Sequence, residues 1–268
     1  MKANSDTQGT LKKVAVSSFL GNFIEWFDYA TYSYFAIVIA NVFFPNDDPA
    51  LALMQTFAVF ALSFLLRPIG AIFWGSMGDK KGRKWALSTS IFLMTGATFC
   101  IGLLPGYLTI GLAAPIMLLL LRMVQGFSAS GEYAGAATFL AEYAPKDKRG
   151  VYCSLVPAST AVGLLVGSTF ATIMYSVLPT EAVNDWGWRI PFLLAGPLGL
   201  IAHYIRTKLE DSPTYQEMQK AIDKTDDSNH PIRDLFRHHS KELFISFGAC
   251  VLNAVGFYVV LTYLPVYL

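Results

Sequence analysis

Charge is what this sequence is short of. Lys, Arg, Asp and Glu make up 15% of its 268 residues, where a soluble domain carries about 25%. Cysteine is also scarce. Cys100, Cys153 and Cys250 stand singly, without the spacing of a metal site, and read as small packed thiols. The chain has no GxGxxG, no Walker loop, no HExxH and no GxSxG. Those absences exclude the common nucleotide, zinc-protease and serine-hydrolase readings, so neither an enzyme nor a cofactor is implied. A net charge of +1 leaves no surplus for a nucleic-acid partner.

What is present is apolar. Hydrophobic residues reach 54% and the mean hydropathy is +0.44. They gather into seven runs, 14–42, 51–76, 85–104, 110–141, 151–178, 188–206 and 242–266. Each is close to or above the ~20 residues that span ~30 Å of hydrocarbon. The expected fold is therefore all-α, with seven transmembrane helices in a lipid bilayer. The first run is no signal peptide, because it is too long, holds two acids and lacks a small-residue cleavage site.

The basic residues follow a rule. They occur in residues 1–13, in Lys80–Lys84, in Lys146–Arg149 and in the stretch 206–241. The alternate connections 43–50, 105–109 and 179–187 contain no Lys or Arg. The positive-inside rule then puts the N terminus and the basic connections in the cytoplasm. This divides the chain into a tail (1–13), a six-helix half (14–206), a central cytoplasmic loop (207–241) and a seventh helix (242–268).

Arg189 lies at an outer helix end, where it can snorkel. Arg67 and Arg122 lie inside the runs, as do Glu25, Asp28 and Glu132. Intramembrane charges mark functional sites by default. At 1.5 Å per residue, Asp28 lies roughly 21 Å and Arg122 roughly 28 Å from the inner face. Glu25, Arg67 and Glu132 lie roughly 13–16 Å in. Two tiers are expected: an outer pair of Asp28 with Arg122, and an inner cluster of Glu25, Arg67 and Glu132. The sum leaves one carboxylate without a cation. A carboxyl that is neutral when protonated and costly when charged can carry a proton or receive a cationic substrate. The alternative is a set of structural ion pairs locking the helices.

Several motifs carry a resemblance. "GSMGDKKGRK" (75–84) resembles the signature between the second and third helices of the major facilitator superfamily. "EWFDY", "LRMVQGFSASGEYAGAATFLAEYAPKDKRG" (121–150), "WGWRIPF" (186–192) and "LEDSP" (209–213) resemble its metabolite:proton symporter family, and most of all the proline/betaine osmolyte transporters. The resemblance implies twelve helices in two six-helix halves built from inverted three-helix repeats. The chain then reads as C-terminally truncated, five helices short. It implies a bacterial inner-membrane symporter for a small molecule and a proton, with Asp28 and Arg122 as the coupling pair. It also implies a cytoplasmic gate of Asp79, Arg83, Glu142 and Arg149. Helix five lacks the Gly-Pro pair of the antiporter signature, which leans toward symport.

The remaining candidates are weighed on chemistry. A zwitterion of proline or betaine type needs an arginine for its carboxylate and an acid or aromatic face for its cation. Glu25, Arg67, Gln125 and the rings of Trp26, Tyr29, Tyr32, Tyr133 and Tyr258 are the candidates, and Glu132 joins Asp28 and Arg122 as a proton site. Lipid or core packing is the competing reading for each ring. An organic acid such as α-ketoglutarate, citrate or shikimate would want more arginines. A non-transporting membrane sensor or interaction subunit is the reading of another class. Gly126, Gly131 and Gly135, and the Gly163–Gly167 pair, are expected at close helix crossings.

This topology makes the first prediction. Cysteines substituted at Asp47, Tyr107 and Val183 should label from outside, and those at Lys81, Asp147 and Thr225 only from inside. Impermeant maleimide labelling of cells and inverted vesicles measures it, and reversed labelling would overturn the depth argument with it.

Overall fold

The computed structural model describes residues 2–211, 215–217, 237 and 239–258. They belong to two units, Met1–Asp223 and Lys224–Leu268. Among the described residues, all regular structure is helical.

In the first unit the opening span is α1 (Lys2–Tyr34) with α2 (Ala36–Phe43). The predicted tail is thus not separate, since α1 begins at Lys2. The second span is α3 (Pro49–Leu65) with α4 (Arg67–Lys81), and the third is α5 (Arg83–Leu103). A short α6 (Tyr107–Ile110) leads to the fourth span, α7 (Ala113–Ala129) with α8 (Glu132–Tyr143). The fifth is α9 (Arg149–Cys153) with α10 (Leu155–Val177). A turn of α11 (Thr180–Ala182) and a π-helical turn (Val183–Gly187) precede the sixth, α12 (Arg189–Thr207). In the second unit α13 (Ser240–Tyr258) overlaps the predicted seventh run. Four helices are long and apolar enough to cross a membrane among the described residues: Pro49–Lys81, Arg83–Leu103, Ala113–Tyr143 and Arg149–Val177.

Local chemistry sets the breaks. Asp48 caps α3, its carboxylate accepting the Ala50 N–H at 2.9 Å, and Pro49 starts the helix. Pro68 has no N–H to donate to Phe64, and α3 gives way to α4 at Leu66. Gly82, with φ +100°, turns the chain from α4 into α5. Between α7 and α8 the Phe127 carbonyl is taken up by the Ser130 hydroxyl (2.7 Å) and the Trp74 indole N–H (2.9 Å). Gly131 N–H turns instead to Ser128 O at 3.4 Å.

The helices of the first unit pair in a pattern. α1 packs on α10 as α7 packs on α3, α1 on α12 as α5 on α7, and α5 on α12. Exchanging the first three spans for the last three maps this packing onto itself, as inverted repeats require. Small residues permit it. A Cβ at Gly126 would strike the backbone carbonyl of Ser63, and one at Gly163 would lie 2.9 Å from that of Phe23. Apolar clusters fill both ends, one around Phe43, Leu118, Trp188 and Phe192, the other around Val14, Leu87, Phe139 and Val156.

Two expectations change. Arg189 does not snorkel: its Nη1 donates to the carbonyls of Gly102 (3.0 Å) and Leu104 (2.6 Å), closing the end of α5. Val183 is fully buried, so Asn184, which is exposed, is the sounder labelling site in that connection. Thr225, most of the central loop and residues 259–268 lie outside the described residues.

The crossings predict that Gly126→Ala lowers the melting temperature of the purified protein by the equivalent of about 1–3 kcal/mol, the usual cost of overpacking. Gly96→Ala, where a Cβ meets nothing within 4 Å, should leave it unchanged. Equal melting of the two variants would refute the close-packing account.

Candidate functional site

The buried charges of the first unit form three ion pairs. Asp28 and Arg122, predicted from depth and from family resemblance, meet at 2.6 Å with both side chains at least 95% buried. Arg122 spans from α7 to Asp28 on α1, while Gly126 on the same helix lets α7 close on Ser63 of α3. Gln125, one residue before that glycine, donates to Asp28 Oδ1 at 3.3 Å and to Thr98 Oγ1 at 2.5 Å. The Arg122 guanidinium lies 3.8 Å over the Tyr32 ring. Tyr32 is held in turn by its hydroxyl on Thr56 O (3.0 Å) and by stacking on Phe60.

One turn earlier on α1, Glu25 accepts from Arg67 Nη2 at 2.6 Å and from the Tyr29 hydroxyl at 3.0 Å. Arg67 also contacts Tyr29 Oη, and its guanidinium lies 4.5 Å from the centre of the Phe64 ring. Trp26 meets Tyr29 edge-on at 5.7 Å. Tyr32 and Gln125 therefore contact the Asp28–Arg122 pair, while Glu25, Arg67, Tyr29 and Trp26 form a neighbouring cluster one turn away. Tyr133 does not join them. It is exposed and makes no ring contact with Trp26, Tyr29 or Tyr32, because it follows the inward-facing Glu132 by 100° of helix rotation. The Tyr258 side chain lies outside the described residues.

The inner cluster differs from expectation. Glu132 pairs with neither Glu25's partner nor the solvent. It is held by Arg206, through Nη1 to Oε2 at 2.8 Å and through Nη2 to Oε1. Arg206 is 2% exposed. Counted by sequence with the basic central loop, it belongs inside the bundle, so three acids face three arginines and the expected spare carboxylate is absent. The signal was available in its spacing. Ala195, Gly199, Ala202 and Arg206 recur on one buried face of α12. Asn22 was also missed: its amide donates to Val156 O, Ser159 Oγ and Thr160 Oγ1, tying α1 to α10.

Pairing does not satisfy every atom of the outer groups. Glu25 Oε2, Arg122 Nε and Nη2, Gln125 Oε1 and Trp26 Nε1 are buried without a hydrogen-bond partner. A buried polar atom in that condition costs about 1–3 kcal/mol, more for a charged group. The arrangement offers donors on Arg122 and acceptors on Glu25 and Gln125 to a molecule that carries both signs.

At the far end of α4, Arg83 pairs with Asp79 (2.9 Å) and approaches Glu142 at 3.7 Å. Arg149 is exposed and forms no ion pair among the described residues, so the four predicted gate residues are joined only in part. Asp211, of the "LEDSP" stretch, completes the cluster. It accepts the Lys84 N–H at 2.8 Å and fills the space that a side chain at Gly82 would need. Tyr143 and Tyr215 add bonds to Glu210 O and Lys80 O.

Comparison with known proteins places this geometry. The family model described as "Sugar (and other) transporter" matches residues 13–242. The glycine betaine/proline/ectoine/pipecolic acid transporter OusA of Dickeya dadantii is 40% identical over 266 residues, 97% of this chain and 53% of that protein. The proline/betaine transporter of Escherichia coli K12 is 38% identical over the same shares. The chain thus spans about half the length of the curated relatives it matches. Among solved structures, the proton:xylose symporter XylE bound to 6-bromo-6-deoxy-D-glucose superposes with TM-score 0.71 at 17% identity, covering 80% of this chain and 47% of that one. Inward-open XylE from E. coli gives TM-score 0.66 at 19% identity, over 79% and 51%. At such identity these structures establish the fold alone.

The Asp28–Arg122 contact predicts strong coupling. Asp28→Asn and Arg122→Met should each lower thermal stability, and the double variant should lose less than their sum by about 1.5–4 kcal/mol. Additive losses in a thermal-melt cycle would mean that the pair is not energetically joined.

Proposed function

Because the chain belongs to the sugar (and other) transporter family, with the helical half-fold of the major facilitator superfamily, we propose that it serves proton-coupled symport of a small zwitterion of proline or betaine type. The observation that carries the reading is the set of unpaired buried atoms on Glu25, Arg122 and Gln125. The substrate carboxylate takes the free donors of Arg122. Its cation takes Glu25 and the faces of Trp26 and Tyr29, which suit a quaternary ammonium as well as a secondary amine. An organic dianion would meet Glu25 as a like charge.

Asp28 is the coupling carboxylate in this reading. Ionised, it is compensated by Arg122. Protonated, it frees Arg122, and the contact between the first and fourth helices loosens. Moving a two-state equilibrium from 1:99 to 99:1 takes roughly 5.5 kcal/mol. Breaking one buried pair costs roughly 3–5 kcal/mol, so the pair supplies much of that bias. The N terminus, the Arg83 cluster and Arg149 lie on the cytoplasmic side, where Asp79, Arg83 and Glu142, with Asp211, hold the inner gate closed.

Uptake by the full-length gene product in proteoliposomes tests this. Proline or betaine should compete for uptake and sugars should not. Asp28→Asn should abolish accumulation driven by a pH step while part of substrate exchange survives, and Glu25→Gln should raise KM about tenfold or more, the loss of one charged contact. Competition by α-ketoglutarate or citrate alone would favour the organic-acid alternative. No proton-dependent uptake of either would favour the sensor.

A further inference from the structure

The three buried pairs differ in one respect. The Glu25–Arg67 and Asp28–Arg122 pairs leave buried atoms unbonded, whereas no fully buried atom of Glu132 or Arg206 lacks a partner. Besides the two prongs to Glu132, Arg206 Nη1 donates to Leu87 O at 2.8 Å and Nη2 to Ser17 O at 3.1 Å. One guanidinium from α12 thereby joins α8, α5 and α1. Gly21 of α1 faces the pair, and a Cβ there would overlap Glu132 Oε1 and Arg206 Nη2. A planar, two-pronged contact that engages both carboxylate oxygens and both Nη atoms leaves little for a ligand to take.

Glu132 is also the first residue of α8, immediately beyond the break in the fourth span. On the other side of the break, α7 carries Arg122 and Gln125. The freed Phe127 carbonyl at the break is satisfied by Trp74 and Ser130 rather than by the helix ladder. The two segments of the fourth span therefore meet at a joint, with only one of them pinned by an ion pair to three other helices.

We propose that Arg206 anchors the fourth span through Glu132 and that neither residue takes part in proton coupling. By saturating Glu132 it fixes α8 to α1, α5 and α12, and α7 moves about Ser130–Gly131 when Arg122 leaves Asp28. Glu132 then stays paired through the cycle and carries no proton. This rests on the proposed symport for its transport readout but not for its stability readout.

The full-length gene product is purified as R206M, E132Q and the R206M/E132Q double variant. Each single variant leaves one buried charge unpaired and should lower Tm by about 5 °C or more, and the double variant should recover over half of that loss. In proteoliposomes with proline as the probe, the double variant should exchange within about threefold of the parent. It should also accumulate proline with the parent's pH midpoint. A double variant that exchanges but does not accumulate, or whose midpoint moves, puts Glu132 in the proton path and overturns the proposal. Additive Tm losses overturn it as well. If R206M does not fold, R206K keeps the charge without the two-pronged contact and should fall between parent and E132Q in Tm; a parent-like R206K overturns the anchoring role. A parent protein that exchanges no proline refutes the substrate reading, while the melting cycle still decides whether the joint exists.

Discussion

A charge among apolar helices must be paired, and that requirement organises this bundle. Removing an ion from water costs several kcal/mol even after relaxation, and only a close counter-ion with further hydrogen bonds offsets it. Glu25 with Arg67, Asp28 with Arg122 and Glu132 with Arg206 meet that condition between different helices. The first span is thereby tied to the second and the fourth, and the fourth to the sixth. Dispersion packing holds the ends, where the apolar clusters lie, but it discriminates poorly between helix rotations. The ion pairs discriminate sharply, since a rotation of one residue would leave charges facing hydrocarbon.

Close approach is the second condition. An ion pair between backbones needs a gap that its side chains can bridge, and the glycines set that gap. Gly126 admits the carbonyl of Ser63 beside Arg122 and Gln125, and Gly21 leaves the space that Glu132 and Arg206 occupy. Helix breaks at Leu66 and Ser130–Gly131 then aim the charged segments. The carbonyl released at the second break is rebonded by Trp74, a side chain from a neighbouring helix. Such rebonding is what makes irregular backbone tolerable at membrane depth.

Saturated and unsaturated pairs divide the labour. The Arg206 joint has both Nη atoms doubly bonded and behaves as scaffold. The Asp28–Arg122 and Glu25–Arg67 pairs retain free acceptors and donors, the chemical condition for receiving a ligand or a proton. The Arg83, Asp79 and Asp211 cluster, at the far end of the same half, ties the turn at Gly82 to the start of the central loop. Charge thus serves three ends in one bundle, and what separates them is how completely each group is bonded.

Sequence alone determined much of this. Scarce charge and long apolar runs dictated a helical membrane bundle, because hydrocarbon leaves backbone groups no other partners. Counting residues put Asp28 and Arg122 in the same outer tier, because rise per residue converts position into depth. Depth is only one coordinate. It does not tell which way a side chain faces, so Tyr133 was grouped with rings it never meets, and Glu132 with a cluster it does not join. Arg206 was assigned to the loop because it stands at the last residue of its run, where a linear boundary cannot distinguish a snorkelling end from a buried one. Only the packing of α12 against α1, α5 and α8 turned that arginine inward, because rotation about a helix axis is set by neighbours far away in the chain.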